Sequence, residues 1–174
     1  MAYTYSKIST VTVGSGGSSS INFIAIPQNY TDLLLKVSCR GDATATTFTS
    51  LRLFFNGSSA NGTTRWIRGN GAVASSDVDA TGIYSGESTT NGATANTFAN
   101  IEYYIPNYTS NNYKPVSIDS VHETNATTAY AHLVAGLWSN STAITSIELD
   151  LGTSNVGNFV QHTTATLYGI KAEV

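Results

Sequence analysis

The chain has 174 residues, and only 11% of them are charged, against about 25% in an average soluble domain. Thr, Ser, Asn and Gly together supply 76 positions, so the predicted surface is polar but largely neutral. The formal net charge of -3 offers no basic field for a phosphate backbone, which excludes nucleic acid as an expected partner. Neither a signal-peptide pattern nor an apolar run of about 18 residues is present. Cytoplasmic synthesis without membrane insertion is therefore expected.

The length predicts one domain covering residues 1–174, because a chain of this size buries roughly 70% of its unfolded surface. The lone cysteine, Cys39, cannot form an internal disulfide, so no oxidising compartment is implied. It alternates with apolar residues along a predicted strand. This pattern favours a small buried side chain over a nucleophile.

Apolar residues recur at every second position along most of the chain, which predicts β-strands. In chain order the strands are expected at residues 21–26, 31–40, 51–55, 99–105, 114–122, 129–138, 147–151 and 166–172. Sustained helical spacing is not found in the sequence. Short strands separated by Gly and Asn predict an all-β fold, an antiparallel two-sheet β-sandwich resembling a jelly roll.

Two segments interrupt this pattern. Residues 14–20 are Gly and Ser and predict a turn or hinge. The preceding residues 1–13 are then either an arm that reaches a neighbouring subunit or the first strand of a long hairpin within the domain. Residues 69–96 predict a long surface excursion with a short strand near Ile83 and Tyr84, and partner contacts are expected there.

Catalytic and metal-binding patterns are weak. His122 and His132 fall on adjacent predicted strands, yet no His or Cys pair has the spacing of a zinc site. Asp77 and Asp79 lack the following ligands of a calcium loop, so a solvated acidic turn is the better interpretation. The tripeptide at residues 40–42 matches an adhesion motif but is explained by a strand end and turn. No catalytic, metal or cofactor site is predicted, and the chain is not expected to be an enzyme.

The acidic residues on the long strands support the same expectation. A hydrolase with paired carboxylates would need two acids converging on one cleft. Glu102, Asp119, Glu148 and Asp150 instead alternate with apolar positions, which predicts that they face solvent.

Aromatic residues are the stronger signal, because flat rings with polar edges suit both subunit interfaces and sugar stacking. In the segment 65–68, alternation places Arg65 and Ile67 on one face and Trp66 and Arg68 on the other. The candidate interface or glycan contacts are Arg65, Trp66, Arg68, Tyr84, Tyr103, Tyr104, Tyr130 and Trp138.

The strand at 129–138 has two interpretations. Ala131, Leu133, Ala135 and Leu137 form an apolar set that suits the core, which would direct Trp138 and Tyr130 towards a partner. In the alternative, Trp138 lies in the core.

Several segments resemble small structural proteins of tailed-phage virions. They read FIAIPQNYTDLLL (23–35), LRLFFNG (51–57), YIPNYT (104–109), AGLW (135–138) and ATLYGI (165–170), in order over residues 21–170. The resemblance implies a jelly-roll or related sandwich module that decorates the capsid or belongs to a tail or fibre assembly. The matched segments lie on strands and turns, so the resemblance implies no catalytic residue.

This resemblance sets the functional expectation. We expect a capsid decoration or cement-type protein in the virion, with other virion proteins as partners and a homo-oligomeric state, a trimer being favoured. The alternative is a receptor- or carbohydrate-binding module of a tail fibre, which would bind a host-surface glycan.

Overall fold

The computed structural model describes residues 3–126, 129–152 and 157–172. These residues form an all-β structure, which confirms the predicted class. The strands are β1 (Tyr3–Thr12), β2 (Ser20–Phe23), β3 (Asp32–Gly41), β4 (Phe48–Phe55), β5 (Gly62–Gly69), β6 (Ala74–Asp79), β7 (Ile83–Thr90), β8 (Ala99–Ile105), β9 (Lys114–His122), β10 (Tyr130–Trp138), β11 (Ile147–Leu151) and β12 (Thr164–Ala172).

Hydrogen bonding links the strands into one mixed sheet. Eight strands form an antiparallel ladder in the order β1-β12-β3-β8-β9-β10-β5-β6. Four more follow the antiparallel order β2-β11-β4-β7. A short parallel pairing of β3 with β7, at Arg40 with Thr89 and Gly41 with Thr90, joins the two ladders. The prediction of two separate antiparallel sheets is therefore not confirmed, because β3 continues from one ladder into the other.

The eight-stranded ladder has two unlike faces. We call the face that packs against β7 the inner face, and the opposite one the outer face. The hydroxyl of Tyr103 on β8 donates to the carbonyl of Ser85 on β7 over 3.1 Å, which marks the contact. Ile101, Tyr103 and Ile105 alternate on the inner face and are fully buried. Burial of such apolar side chains contributes about 1.5–3 kcal/mol each relative to exposure.

Strand β10 is oriented opposite to one of its sequence interpretations. His132, Val134 and Trp138 are buried on the inner face, while Leu133 is exposed on the outer face. The ring of Trp138 packs 5.5 Å from that of Phe55, in the core. Of the two interpretations of this strand, the one that directs Trp138 towards a partner is thus wrong, and the one that places it in the core is confirmed. Alternation identified the two faces correctly but not which of them is covered.

Strands occupy much of the segment that the sequence predicts to be a surface excursion, and the short strand predicted near Ile83 and Tyr84 is confirmed as the start of β7. Within residues 69–96, β6 is an exposed strand at the end of the ladder, and β7 is buried along most of its length. Strand β7 consists largely of Ser and Thr, and its hydroxyls hydrogen-bond to nearby carbonyls. Thr89, for example, donates to the carbonyl of Thr97 over 2.8 Å. The expected surface segment is therefore partly interior.

The N-terminal segment pairs within its own chain. Strand β1 runs antiparallel to β12 over nine register pairs, from Tyr3 opposite Ala172 to Thr12 opposite Thr164. The Gly/Ser segment after it contains a turn closed by a hydrogen bond from the Gly17 amide to the Gly14 carbonyl. In this structure β1 is accordingly a strand of the domain, paired with β12.

Candidate functional site

The register of β5 creates two candidate sites on opposite faces of the ladder. Arg65 and Ile67 lie on the outer face, whereas Trp66 and Arg68 lie on the inner face, as alternation predicts. Arg68 belongs to a set of mostly buried polar groups, which we call the inner polar cluster, and Trp66 packs against this set. Arg65 and Ile67 belong to an exposed region, which we call the outer apolar surface.

The inner polar cluster consists of Arg68, Glu87, Ser120, His122 and His132. The guanidinium Nη1 of Arg68 lies 2.9 Å from Oε1 of Glu87, which is buried on β7. The other carboxylate oxygen of Glu87 lies 3.6 Å from Nε2 of His132. Glu87 thus lies between β5 and β10, paired with Arg68 on one side and close to the His132 ring on the other.

Aromatic rings enclose this cluster. The guanidinium carbon of Arg68 lies 4.5 Å from the ring centre of Tyr130 and 5.1 Å from that of Trp66. Tyr84 packs on Trp66 with ring centres 5.9 Å apart. Cation–π contacts of this kind contribute about 0.5–2 kcal/mol. Four of the predicted contact residues therefore converge: Arg68 pairs with the buried Glu87, and Trp66, Tyr84 and Tyr130 pack around this ion pair.

The cluster has the residue types of a hydrolase triad but not the required geometry. Ser120 is directly opposite His132 in the β9–β10 register, and Glu87 lies beyond the imidazole. Ser120, however, is completely buried, and its hydroxyl oxygen accepts a hydrogen bond from the backbone amide of Glu87, with N and Oγ 3.3 Å apart. Neither ring nitrogen of His132 hydrogen-bonds to any group in the described residues. A nucleophile must be activated by a hydrogen-bonded base and must meet its substrate, and Ser120 does neither here.

Metal binding at the cluster is not supported either. His122 and His132 stack with ring centres 6.4 Å apart. Across residues 3–126, 129–152 and 157–172, no group of three or more His, Cys, Asp or Glu side chains is arranged to hold a metal ion.

Burial makes His122 sensitive to pH. Desolvation lowers its pKa below the usual 6.5, and the nearby charges of His132 and Arg68 act in the same direction, while those of Glu87 and Glu123 raise it. Its two ring nitrogens have no hydrogen-bond partner among the described groups. A protonated His122 would be a buried cation beside Arg68, which is unfavourable.

We therefore expect the protein to lose stability as the pH falls below 6.5, the ordinary pKa of His122. Because folding lowers this pKa, the unfolded chain binds the proton more readily, and the stabilisation present above this pH is lost below it. The slope from this group reaches at most about 1.4 kcal/mol per pH unit. Urea unfolding across this range should show a flatter profile for His122→Phe.

The matched control is His162→Asn. His162 is exposed and has a φ of 74°, a backbone conformation that Asn tolerates. Its replacement should leave the pH dependence unchanged. Equal slopes for the wild type and His122→Phe would contradict the role assigned to His122.

The outer apolar surface spans β8, β9, β10, β5 and β6. Ile67, Val78 and Leu133 are 57%, 56% and 55% exposed, respectively. They line a groove of about 940 Å³ together with Tyr104 and Ala135. A large, mostly apolar concave surface is the usual signature of a binding site.

The structure separates the predicted contact residues into three groups. Arg65 and Tyr104 lie at the groove of the outer apolar surface. Arg68 belongs to the inner polar cluster, and the rings of Trp66, Tyr84 and Tyr130 pack around it. Tyr103 and Trp138 are buried in the core, so their predicted role as contacts is wrong: both alternate with outward-facing residues and are covered by the second ladder.

Other sequence motifs have structural roles. Arg40 is buried at the end of β3, and its guanidinium donates to the carbonyls of Ala93, Thr94 and Thr97. Cys39 is fully buried, which raises the pKa of its thiol to about 12, as expected for a core side chain. The adhesion-like tripeptide is therefore a strand terminus.

Several important residues carry no recognisable sequence signal. Glu87 lies in the segment predicted to be irregular, and Ser120 is one of many serines. Leu133 belongs to the apolar set that one interpretation assigns to the core. A single charged residue among hydroxyl-bearing neighbours, as at Glu87, is the only pattern that could have indicated the buried ion pair.

Comparisons with protein-family models, with curated proteins and with solved structures found no match to this chain. No helix of the described residues has the length and hydrophobicity needed to cross a membrane. Evidence for function therefore comes from the two sites themselves and from the sequence.

Proposed function

We propose that this chain is a non-enzymatic structural protein of a tailed-phage virion, where it decorates the capsid and binds other virion subunits. The observation that carries the proposal is the outer apolar surface, with Ile67, Val78 and Leu133 each more than half exposed. Contiguous apolar patches rimmed by polar groups mark protein-interaction sites in soluble proteins. The resemblance of five sequence segments to phage structural proteins supplies the biological setting.

The distribution of charge supports an assembly role. Glu87 and Arg40 are buried, and few charges remain on the surface. Association would then depend little on salt, because exposed ion pairs contribute only about 0–1 kcal/mol each. We further propose that the two ladders act as the sheets of a jelly-roll-like sandwich, a proposal supported by the packing of β7 on β9 and β10.

A glycan-binding module is the second candidate, favoured by Tyr104. Its hydroxyl donates to Oδ2 of Asp32 over 2.9 Å, which holds the partly exposed ring at the groove. An aromatic ring held in this way suits stacking on a sugar. A glycan array would support this candidate if the wild type bound a host polysaccharide and Tyr104→Ala did not.

The virion proposal is tested by immunogold labelling of purified particles that carry the wild-type chain, Leu133→Asp or Ile24→Asp. Ile24 is 79% exposed and lies outside the groove, so it provides a matched apolar-to-acid control. We expect labelling of the head for the wild type and the control. Labelling should be at least about tenfold less for Leu133→Asp, because an aspartate carboxylate is unfavourable when it is buried in an apolar interface. Particles without the wild-type protein would contradict the proposal.

A further inference from the structure

Two charged side chains on the outer face have no ion pair within the described residues. Arg65 donates to the carbonyl of its neighbour Thr64, and no group of the described residues forms a salt bridge or hydrogen bond with the carboxylate of Asp119. By contrast, Lys36 and Glu102 on the same face pair over 2.9 Å. A free cation and a free anion therefore remain beside an exposed apolar region.

The strand register places the apolar region between these charges. Asp119 on β9 is opposite Leu133 on β10, and Leu133 is opposite Ile67 on β5. Arg65 lies two residues from Ile67 on the same face of β5. Across the surface the order is thus anion, two large apolar side chains, and cation.

We propose that a second copy of this chain covers this surface, related to the first by a twofold axis lying in the interface. Such an axis brings Arg65 of each copy onto the partner's Asp119 and packs Leu133 and Ile67 at the centre. Both symmetry-related ion pairs form at once, as an isologous interface requires. This inference rests on the proposed function, because it names one partner of the same surface.

The positions of the charges also determine how the two sheets cross. At standard spacings, Arg65 and Asp119 lie two strand spacings apart across the sheet, about 9.6 Å, and two residues apart along the strands, about 6.6 Å. The axis that exchanges them is then inclined by about 35° to the strands, so the strands of the two copies cross at about 70°. This value is near the orthogonal class of sheet packing. A twisted sheet is saddle-shaped, with one raised and one recessed diagonal. When two such sheets cross at a large angle, the raised diagonal of each lies along the recessed diagonal of the other.

The available area is close to what a specific dimer needs. Five strands with about seven residues each cover roughly 24 by 23 Å, or about 550 Å² per copy in flat projection. Two copies bury about 1,100 Å² before side-chain relief is added, near the lower limit of about 1,200 Å² for specific interfaces.

The charge pattern disfavours other arrangements. Glu102 and Asp119 are direct cross-strand neighbours, and Lys36 neutralises only one of these carboxylates. A copy placed with its own acidic edge over this edge would bring like charges together, at a cost of several kcal/mol. Arg65 facing the partner's Asp119 removes this repulsion.

The test is the mass of the purified chain, measured by light scattering and sedimentation over a wide concentration range. We expect the wild type to form dimers. Arg65→Glu and Asp119→Arg should each weaken dimerisation by about 100-fold, because every substitution occurs twice in the interface. The double variant Arg65→Glu/Asp119→Arg should regain most of the affinity, since the swapped charges attract again.

Leu133→Asp should also give monomers, whereas Ile24→Asp should dimerise like the wild type. Circular dichroism establishes that each variant is folded. Wild-type monomers at every concentration, a trimer, or single charge variants that dimerise normally would overturn the inference. If the chain labels particles but forms no dimers in solution, the dimer inference fails and the virion proposal stands. If it forms dimers but does not label particles, the virion proposal fails.

Discussion

Replacement of Gly86 by alanine is expected to lower the free energy of unfolding by about 3–5 kcal/mol. Gly86 has a φ of 102°, where a side chain is strained. A Cβ there would lie 2.6 Å from Oγ and 2.7 Å from Cβ of Ser120. Both the backbone and the contact between β7 and β9 would have to change. Urea or thermal unfolding followed by circular dichroism measures this loss.

Two further variants separate the causes. Gly71 has a similar φ of 85°, but a Cβ there meets no described atom within 4 Å, so Gly71→Ala reports backbone strain without a clash. It should cost only about 1–2 kcal/mol. Ser120→Gly removes the side-chain atoms that the new Cβ would meet. Gly86→Ala should therefore lower the free energy of unfolding less in the Ser120→Gly background than in the wild type. Equal costs at Gly86 and Gly71 would show that the packing of β7 on β9 accommodates a methyl group at Gly86.

The second large effect is expected at Arg40, whose loss should cost about 3–5 kcal/mol. Its Nη1 donates to the carbonyls of Thr94 and Thr97 over 2.9 and 2.7 Å, and its Nε donates to Asn91 over 3.1 Å. These bonds hold the connection between β7 and β8 against the end of β3. Arg40→Ala would leave these acceptors without their charged donor. Arg40→Lys should recover little, because an ammonium cannot reproduce the planar guanidinium fork.

Hydrogen exchange gives the local measurement for this prediction. The amide of Ala93 donates to the Thr90 carbonyl, and that of Thr97 donates to the Thr94 carbonyl. Both amides should exchange faster in Arg40→Ala and in Arg40→Lys. Arg65→Ala, which removes an exposed guanidinium, should leave them unchanged. Wild-type protection of these amides in Arg40→Ala would show that the loop keeps its conformation without the arginine.

Alternation in the sequence was sufficient to locate most strands. The predicted ranges 99–105, 114–122 and 147–151 coincide with β8, β9 and β11, and 129–138 differs from β10 by one residue. These strands have one apolar face and one polar or mixed face, so their period of two is visible without any partner. Strand β7 has no such contrast. Its Ser and Thr side chains are buried because hydrogen bonds satisfy them, which local composition does not reveal.

The candidate sites were predictable only in part, as Trp66 and Trp138 illustrate. Each was correctly assigned to a face of its strand, together with its neighbours two positions away. What lies opposite that face depends on β7 and β4, which are distant in sequence. Trp66 therefore packs against the inner polar cluster, and Trp138 packs on Phe55 in the core.

The sequence by itself determined the all-β class, the positions of most strands and the division of each into two faces, because these follow from side-chain periodicity. Only the tertiary structure decided which face is interior. Alternation is unchanged when the two faces are exchanged, and the choice depends on which strand supplies the opposing layer. Opposite β10 that layer includes Glu87, so His132 turns inward and Leu133 remains exposed.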